Sequence, residues 1–174
     1  MRIGIDISQI VYEGTGVATY MRRMVDALLK LDKKNEYVLF GASLRRRTEF
    51  KKFVNNRATL VVAPIPPTVL DILWNVLHII PVEWFIGSVD IFWSSDWTQP
   101  PLTHAKGVTT VHDLTTFRHP KEMNARIVAT HLRRLKWVKK ECQAIFCDSE
   151  ATKKDVITLL RISETKLHVV YPGI

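Results

Sequence analysis

Cysteine and long uninterrupted apolar runs are both scarce in this sequence of 174 residues. Its two cysteines, Cys142 and Cys147, are too few for a disulfide framework or a four-ligand zinc site. Acidic residues interrupt even the most apolar region, so no stretch approaches the ~20 apolar residues of a membrane-spanning helix. The N-terminus does not have the basic stretch and apolar block of a signal peptide. We therefore expect a cytoplasmic protein.

Several catalytic motifs are also missing. The sequence has no G-x-S-x-G, no H-E-x-x-H and no phosphate-binding loop with its Lys-Ser/Thr ending. A dinucleotide fingerprint fails because Thr19 stands where the third glycine would be, which excludes a nicotinamide-dependent dehydrogenase. His112 and His119 have no further ligands at suitable spacing, so we expect no metal site.

Charge is unevenly spread along the chain. The net charge is +8, yet residues 58–105 contain no lysine or arginine and four of the five tryptophans. A net positive charge favours phosphates and anionic surfaces as partners. Nucleic-acid binding is not expected, because the aromatic residues are segregated from the basic ones. The apolar fraction of 47% is typical of a globular protein, and the length suits one domain over residues 1–171.

Short apolar runs alternate with helical patterns along the chain. The runs are 3–7, 37–41, 60–63, 90–94, 108–112, 144–148 and 167–171. The helical patterns are 17–28, 48–54, 69–80, 124–141 and 151–161, of which 69–80 is apolar nearly all round and is expected to be a buried helix. This alternation predicts a Rossmann-like α/β fold. Its doubly wound, mainly parallel sheet would have about six or seven strands, with helices on both faces.

Polar residues follow several of the predicted strands. In a doubly wound sheet, ligands bind outside the carboxyl ends of the strands. The segments at those ends are 6–8, 94–97, 112–114 and 148–150. They contain aspartate, serine, histidine and glutamate, so the polar residues gather where this architecture places a site.

A glycine-rich loop opens the first predicted helix. Gly14 and Gly16 flank Thr15, and such a helix start can present backbone N–H groups to an anion. The alternative is a plain turn, in which glycine allows a positive φ and Thr15 caps the helix. The sequence leaves both interpretations open.

Two further segments have similar alternatives. His112 and Asp113 can present an imidazole or a strand-end carbonyl to a polar ligand, or form a satisfied histidine beside a turn capped by Asp113. Ser149 is predicted to cap the helix at 151–161, with Thr152 and Asp155 resembling a capping box. The exposed start of that helix can also line a cleft.

The basic helical pattern 124–141 and the segment 45–47, Arg-Arg-Arg, could contact anionic lipid headgroups. An ordinary solvated face is the alternative. Trp74, Trp84 and Phe85 could hold an apolar acceptor or face a membrane, although core packing is the more common role of such residues.

Five segments together resemble the N-terminal domain of glycosyltransferase family 4, a family of retaining, nucleotide-sugar-dependent enzymes with the GT-B fold. In chain order they are RIGIDIS, GTGVATYMRRMVDAL, TVHDLTTFRHP, AIFCDSEATKKDV and KLHVVYPGI. The third is similar to members that act on cell-surface polysaccharides, often mannosyltransferases. The resemblance implies two Rossmann-like domains that face a cleft, the first binding the acceptor and the second the nucleotide.

The resemblance also implies roles for particular residues. Gly14, Thr15 and Gly16 would meet the diphosphate and sugar of a UDP- or GDP-linked donor, with no metal or other cofactor. His112 would lie near the transferred sugar as a catalytic residue, with Asp113 holding its loop. The cleft rim would include the segment 148–150, that is Asp148, Ser149 and Glu150. The acceptor would contact Tyr12, Asp96 and Trp97.

Residues 172–174 would begin the crossover to a nucleotide-binding domain that this sequence does not include, and the Glu-x7-Glu motif of the family is absent. We therefore expect an acceptor-binding half that is inactive alone and works with a second domain or a partner chain on a glycan or lipid-linked acceptor. It could also lie peripherally on the cytoplasmic membrane. The alternative is a non-catalytic Rossmann-like module that binds a carbohydrate or a partner.

Overall fold

One sheet of seven strands organises the computed structural model, which describes residues 1–53 and 57–173. Its strands are β1 (Arg2–Asp6), β2 (Glu36–Ala42), β3 (Ala58–Ala63), β4 (Ile91–Ser94), β5 (Lys106–Val111), β6 (Cys142–Cys147) and β7 (Leu167–Val169). The order is β3-β2-β1-β4-β5-β6-β7, and every neighbouring pair is parallel. The predicted Rossmann-like α/β fold is confirmed.

Helices connect most successive strands, whereas residues 95–105, between β4 and β5, contain no helix. The helices are α1 (Gly16–Leu31), α2 (Arg47–Phe53), α3 (Pro67–Leu70), α4 (Glu83–Ile86), α5 (Thr115–Arg118), α6 (Ala125–Glu141) and α7 (Glu150–Leu160). A π-helical segment, Asp71–Val76, continues α3, and short 3-10 turns cover Ser8–Val11, Pro120–Glu122 and Glu164–Lys166. The last residue of the helix predicted over 48–54 lies outside the described residues. No helix in the described part of the chain is long and apolar enough to cross a bilayer.

Side chains of β2 alternate between two separate cores. Tyr37 and Leu39 pack with residues of α1, whereas Val38 and Phe40 pack on the other face with Trp74 of the π-helical segment. Successive side chains of a strand point to opposite faces, so apolar residues at consecutive positions require cover on both faces of the sheet. The helices provide it.

The prediction of a buried helix over 69–80 is wrong. The segment is interrupted: π-helical geometry ends at Val76, and His78 and Ile80 have φ angles of 53° and 63°. Leu70 and Trp74 pack against the sheet, but Ile72 is 50% exposed. The sheet covers only one side of this segment. Its residues are apolar on the other side too, but those residues are exposed.

Helix α6 also differs from its expected form. Its buried residues are Thr130, Arg134, Leu135 and Val138, whereas the apolar side chain of Leu132 is 44% exposed. The spacing i, i+4, i+5 and i+8 defines one helical face. Arg134 lies on this face, so the solvated face that is one alternative for the basic pattern 124–141 does not include it.

Strands β1 and β4 are neighbours at the centre of the sheet. The chain builds outward from β1 to β3 on one side and from β4 to β7 on the other. Such a reversal of direction opens a crevice at the carboxyl ends of the two strands. The crevice brings the segment after Asp6 close to the segment after Ser94.

Candidate functional site

A cleft of about 380 Å³ lies at this crevice. Its wall comes from the 3-10 turn after β1, the start of α1, the loop after β4, α3 and one face of α6. The lining residues that bear on its chemistry are Tyr12, Thr15, Asp71, Asp96, Trp97, Arg126 and His131. Aromatic rings and ionisable groups therefore face one volume.

Three residues expected to contact an acceptor lie together on this wall. Tyr12 follows β1, and Asp96 and Trp97 follow β4. Thr15, expected near the donor, lines the same cleft. Gly14, Gly16, His112 and 148–150 do not line it.

The sequence interpretation missed His131 and Arg126, which α6 contributes to the cleft. The His131 ring meets Trp97 edge-on at 5.6 Å between centroids. Burial lowers the pKa of His131, an effect that nearby Asp96 opposes. A signal was present in the predicted helix over 124–141, because His131 stands four residues before Leu135, and residues at this spacing lie on the same side of a helix.

Asp71 anchors the opposite wall of the cleft. Its Oδ2 accepts hydrogen bonds from Thr130 Oγ1 at 3.1 Å and from Arg133 Nη2 at 2.8 Å. Asn75 Nδ2 donates to its Oδ1 at 2.9 Å. These bonds tie the π-helical segment to α6 and fix the width of the cleft.

Buried Arg134 holds the loop that carries Asp96 and Trp97. Its guanidinium donates to the carbonyl of Ser95 at 3.0 Å, to Thr109 Oγ1 at 2.6 Å and to the carbonyl of Thr110 at 3.2 Å. Asp96 lies 3.4 Å away as a counter-charge. A buried arginine with this many acceptors is tolerated, because its donors are satisfied and its charge is paired.

His112 stands immediately after β5 and pairs with an aspartate at the end of β6. Its Nδ1 lies 2.7 Å from Asp148 Oδ2. Because a carboxylate only accepts, Nδ1 is the donor, and in the neutral ring Nε2 is left as an acceptor. The register aligns Val111 with Cys147, which places the two following side chains side by side.

A chain of hydroxyls fixes the backbone of His112. Thr152 Oγ1 donates to the His112 carbonyl at 3.1 Å and lies 3.0 Å from Ser149 Oγ. Ser149 Oγ also accepts from the Thr152 N–H at 3.1 Å, so its predicted role as the N-cap of α7 is confirmed. Asp113 Oδ1 accepts from the Thr115 N–H at 2.8 Å. It therefore caps the turn, and the partner of His112 is Asp148 rather than Asp113.

The glycine loop contains two different glycines. Gly14 has a φ of 84°, in the region that favours glycine, and Thr15 Oγ1 accepts from the Ala18 N–H at 3.2 Å. The predicted turn and cap are thus confirmed. Gly16 has no positive φ, and a Cβ built on it meets nothing within 4 Å. The fold of the described residues therefore gives no reason for glycine at position 16.

Helix α1 connects the two parts of the site. Thr15, at its start, lines the cleft, and Tyr20, on its second turn, meets the His112 ring edge-on at 4.9 Å between centroids. Glu150 and Asp113 are exposed at the same edge of the sheet. The glycine loop and His112 therefore stand at one end of one helix, beside the cleft.

The model of Glycosyltransferase Family 4 matches residues 14–174. The chain belongs to this glycosyltransferase family. Its all-parallel, Rossmann-like sheet is consistent with half of a GT-B fold. A search of curated proteins returned no match.

The cysteines of this glycosyltransferase domain are free and buried. Burial raises the pKa of Cys142 to about 12 and that of Cys147 to about 11. Both thiols are therefore protonated at neutral pH and are poor nucleophiles. Residues 1–53 and 57–173 contain no group of three or more His, Cys, Asp or Glu side chains that could hold a metal ion.

Proposed function

We propose that this domain binds the acceptor of a retaining glycosyltransferase, whose nucleotide-sugar is held by a second domain or a partner chain. The cleft between the ends of β1 and β4 is the observation that carries the proposal. Its volume of about 380 Å³ falls within the roughly 300–1,000 Å³ of small-molecule sites. The rings of Tyr12 and Trp97, with the polar groups of Asp96, suit a glycan or the sugar end of a lipid-linked acceptor.

The glycine loop would meet the diphosphate of a UDP- or GDP-linked donor. The first N–H groups of a helix have no partner within that helix, and Thr15 already accepts from Ala18. The N–H groups of Gly16 and Val17 are thus available to an anion at the positive end of α1. Open space at Gly16 lets a phosphate approach the backbone.

His112 would contact the transferred sugar. With Nδ1 donating to Asp148, Nε2 of the neutral ring can accept a hydrogen bond from a sugar hydroxyl. In the proposed reaction the acceptor hydroxyl attacks the anomeric carbon from the face that the diphosphate leaves, and its proton passes to the departing phosphate. The N–H groups at the start of α1 stabilise the charge that grows on the diphosphate, and no metal takes part.

Calorimetry with a panel of octyl glycosides, including the mannoside and the glucoside, tests acceptor binding. Tyr12→Ala should weaken binding about tenfold, because an aromatic wall of the cleft is lost. Tyr171, 66% exposed beyond β7, provides the matched control, and Tyr171→Ala should bind like the parent chain. If no glycoside binds, or if both variants weaken equally, the acceptor role is refuted.

The same role predicts that the domain binds acceptor without transferring sugar. The nucleotide would be held by a second domain or a partner chain, so the purified chain should release no UDP or GDP from a panel of nucleotide-sugars in the presence of the glycosides. Turnover by the purified chain would contradict the proposed division of labour.

A further inference from the structure

Exposed apolar side chains are concentrated on the π-helical segment and the residues next to it. We define the apolar patch as Val69, Ile72, Val76, Leu77 and Ile79, whose exposed fractions are 40%, 50%, 49%, 55% and 46%. A π-helix places positions i, i+4 and i+5 near one another, so Ile72, Val76 and Leu77 form one face. Exposed apolar residues grouped in this way mark an interaction surface.

Trp84 is a further exposed apolar side chain in the same stretch of the sequence. It is 77% exposed on α4, five residues after Ile79. A tryptophan of this kind suits the boundary between water and lipid, where its ring is apolar and its N–H remains hydrated.

Two lysines of α6 flank the patch. The ring of His78 stacks on Trp137, with centroids 3.6 Å apart and an interplanar angle of 2°. Lys140 Nζ and Lys136 Nζ lie 4.9 Å and 5.4 Å from the Trp137 ring centroid. The positive charges are therefore held beside the segment that carries the patch.

The carboxylates of the surrounding region are engaged within the fold. Asp71 accepts from Arg133, and Glu83 accepts three backbone N–H groups of residues 103–105. Glu141 is 3.0 Å from His78. An approaching anionic surface thus meets lysines rather than unpaired carboxylates.

We propose that the apolar patch, flanked by Lys136 and Lys140, docks on the surface of a bilayer that contains anionic lipids. Apolar side chains enter the boundary of the acyl chains while lysines meet the headgroups. A second copy of the chain fits less well, because a two-fold contact through the patch would bring the flanking lysines of both copies together. The inference goes beyond the proposed function, since it requires neither acceptor nor nucleotide.

Co-sedimentation with vesicles tests the proposal on the 174-residue chain. The parent chain should bind phosphatidylcholine vesicles that contain about one-third phosphatidylglycerol, less at high salt and less without the anionic lipid. The double variant Ile72→Ser, Leu77→Ser should bind them at least about tenfold more weakly, because its apolar contact with lipid is lost. Lys136→Gln and Lys140→Gln should each weaken binding about fivefold.

Matched variants provide the controls. Leu31 and Leu159 are 82% and 42% exposed on α1 and α7, so Leu31→Ser with Leu159→Ser should bind like the parent chain. The double variant Lys33→Gln, Lys34→Gln is the control for the loss of positive charge, and it should also bind vesicles like the parent chain. All substituted residues are exposed, and equal melting temperatures would show that folding is unaffected.

Three results would overturn the proposal. One is a parent chain that does not bind anionic vesicles, and another is equal binding by the patch variants and their controls. The third is a dimer of the parent chain that Ile72→Ser, Leu77→Ser converts to a monomer, which would assign the patch to a second copy. None of these results concerns glycoside binding, so the proposed acceptor role is tested independently by calorimetry.

Discussion

Alanine substitutions at the two glycines of the loop before α1 should change stability in opposite directions. Gly14 has a φ of 84°, and forcing a Cβ into that region costs about 1–2 kcal/mol. Gly16 has ordinary φ and open space around its missing Cβ. Alanine there restricts the unfolded chain and stabilises the fold by roughly 0.4–1 kcal/mol.

Thermal unfolding of the chain measures both effects. For a domain of this size, 1 kcal/mol shifts the melting temperature by about 2–4 °C. Gly14→Ala should therefore lower Tm by roughly 2–8 °C, and Gly16→Ala should raise it by roughly 1–4 °C. A fall in Tm for Gly16→Ala as large as that for Gly14→Ala would refute the reasoning, because Gly16 would then serve the turn.

The Gly16→Val substitution tests the proposed role of Gly16 in binding the diphosphate. It is made in an enzyme that contains both halves of the cleft. A branched side chain would stand between the N–H groups and the diphosphate, so we expect kcat/KM to fall about 100-fold, as when an oxyanion donor is removed. Its Tm should change little. Equal losses of stability and activity would favour a purely structural glycine.

Three other predictions concern stability. Arg134→Met should destabilise the fold by about 3–5 kcal/mol in urea, because Asp96 and three acceptors lose their partner; a change below about 1 kcal/mol would contradict this account. Gly107→Ala should destabilise by about 1–3 kcal/mol, because its Cβ would lie 2.6 Å from the carbonyl oxygen of Glu141; a Tm equal to that of the parent would be evidence against this close approach. Because burial lowers the pKa of His131, the unfolded chain binds more protons than the folded chain near pH 6.5. The free energy of unfolding, measured by urea titration, should therefore decrease as the pH drops below 6.5. The His131→Asn variant should lose less of this free energy over the same pH range.

The sheet could be predicted because its strands are short apolar runs, most of which are followed by a helical pattern; the run 90–94 is an exception. Consecutive apolar residues such as Val38, Leu39 and Phe40 require cover on both faces, and alternation with helices leaves few topologies other than a parallel sheet. The same argument predicted that a ligand site would lie at the carboxyl ends of the strands. Tyr12, Asp96 and Trp97 were found on one wall for this reason.

Pairings across the sheet were harder to predict. Asp113 follows His112 directly, yet Asp148 is the partner, because the register aligns the ends of β5 and β6. Strand register is a tertiary property that periodicity does not specify. The burial of Arg134 was not predicted for a different reason: the pattern 124–141 was interpreted by its charge, and the spacing of Arg134 to Leu135 and Val138 was not considered.

The apolar segment 69–80 shows the limit of composition. Hydrophobicity indicates that a surface favours removal from water, but it does not identify what covers that surface. The sheet covers Leu70 and Trp74, while Ile72 and Leu77 remain exposed. The same property that made the burial prediction fail supports the inference of a lipid-facing surface.

Mapping the bound acceptor on a nitrogen-labelled chain by NMR tests the central claim most directly. On addition of the octyl glycoside that binds most tightly, the largest backbone shift changes should occur at Tyr12, Asp96, Trp97 and His131. Changes confined to the outer strands β3 and β7, with these four residues unaffected, would contradict an acceptor site between the ends of β1 and β4.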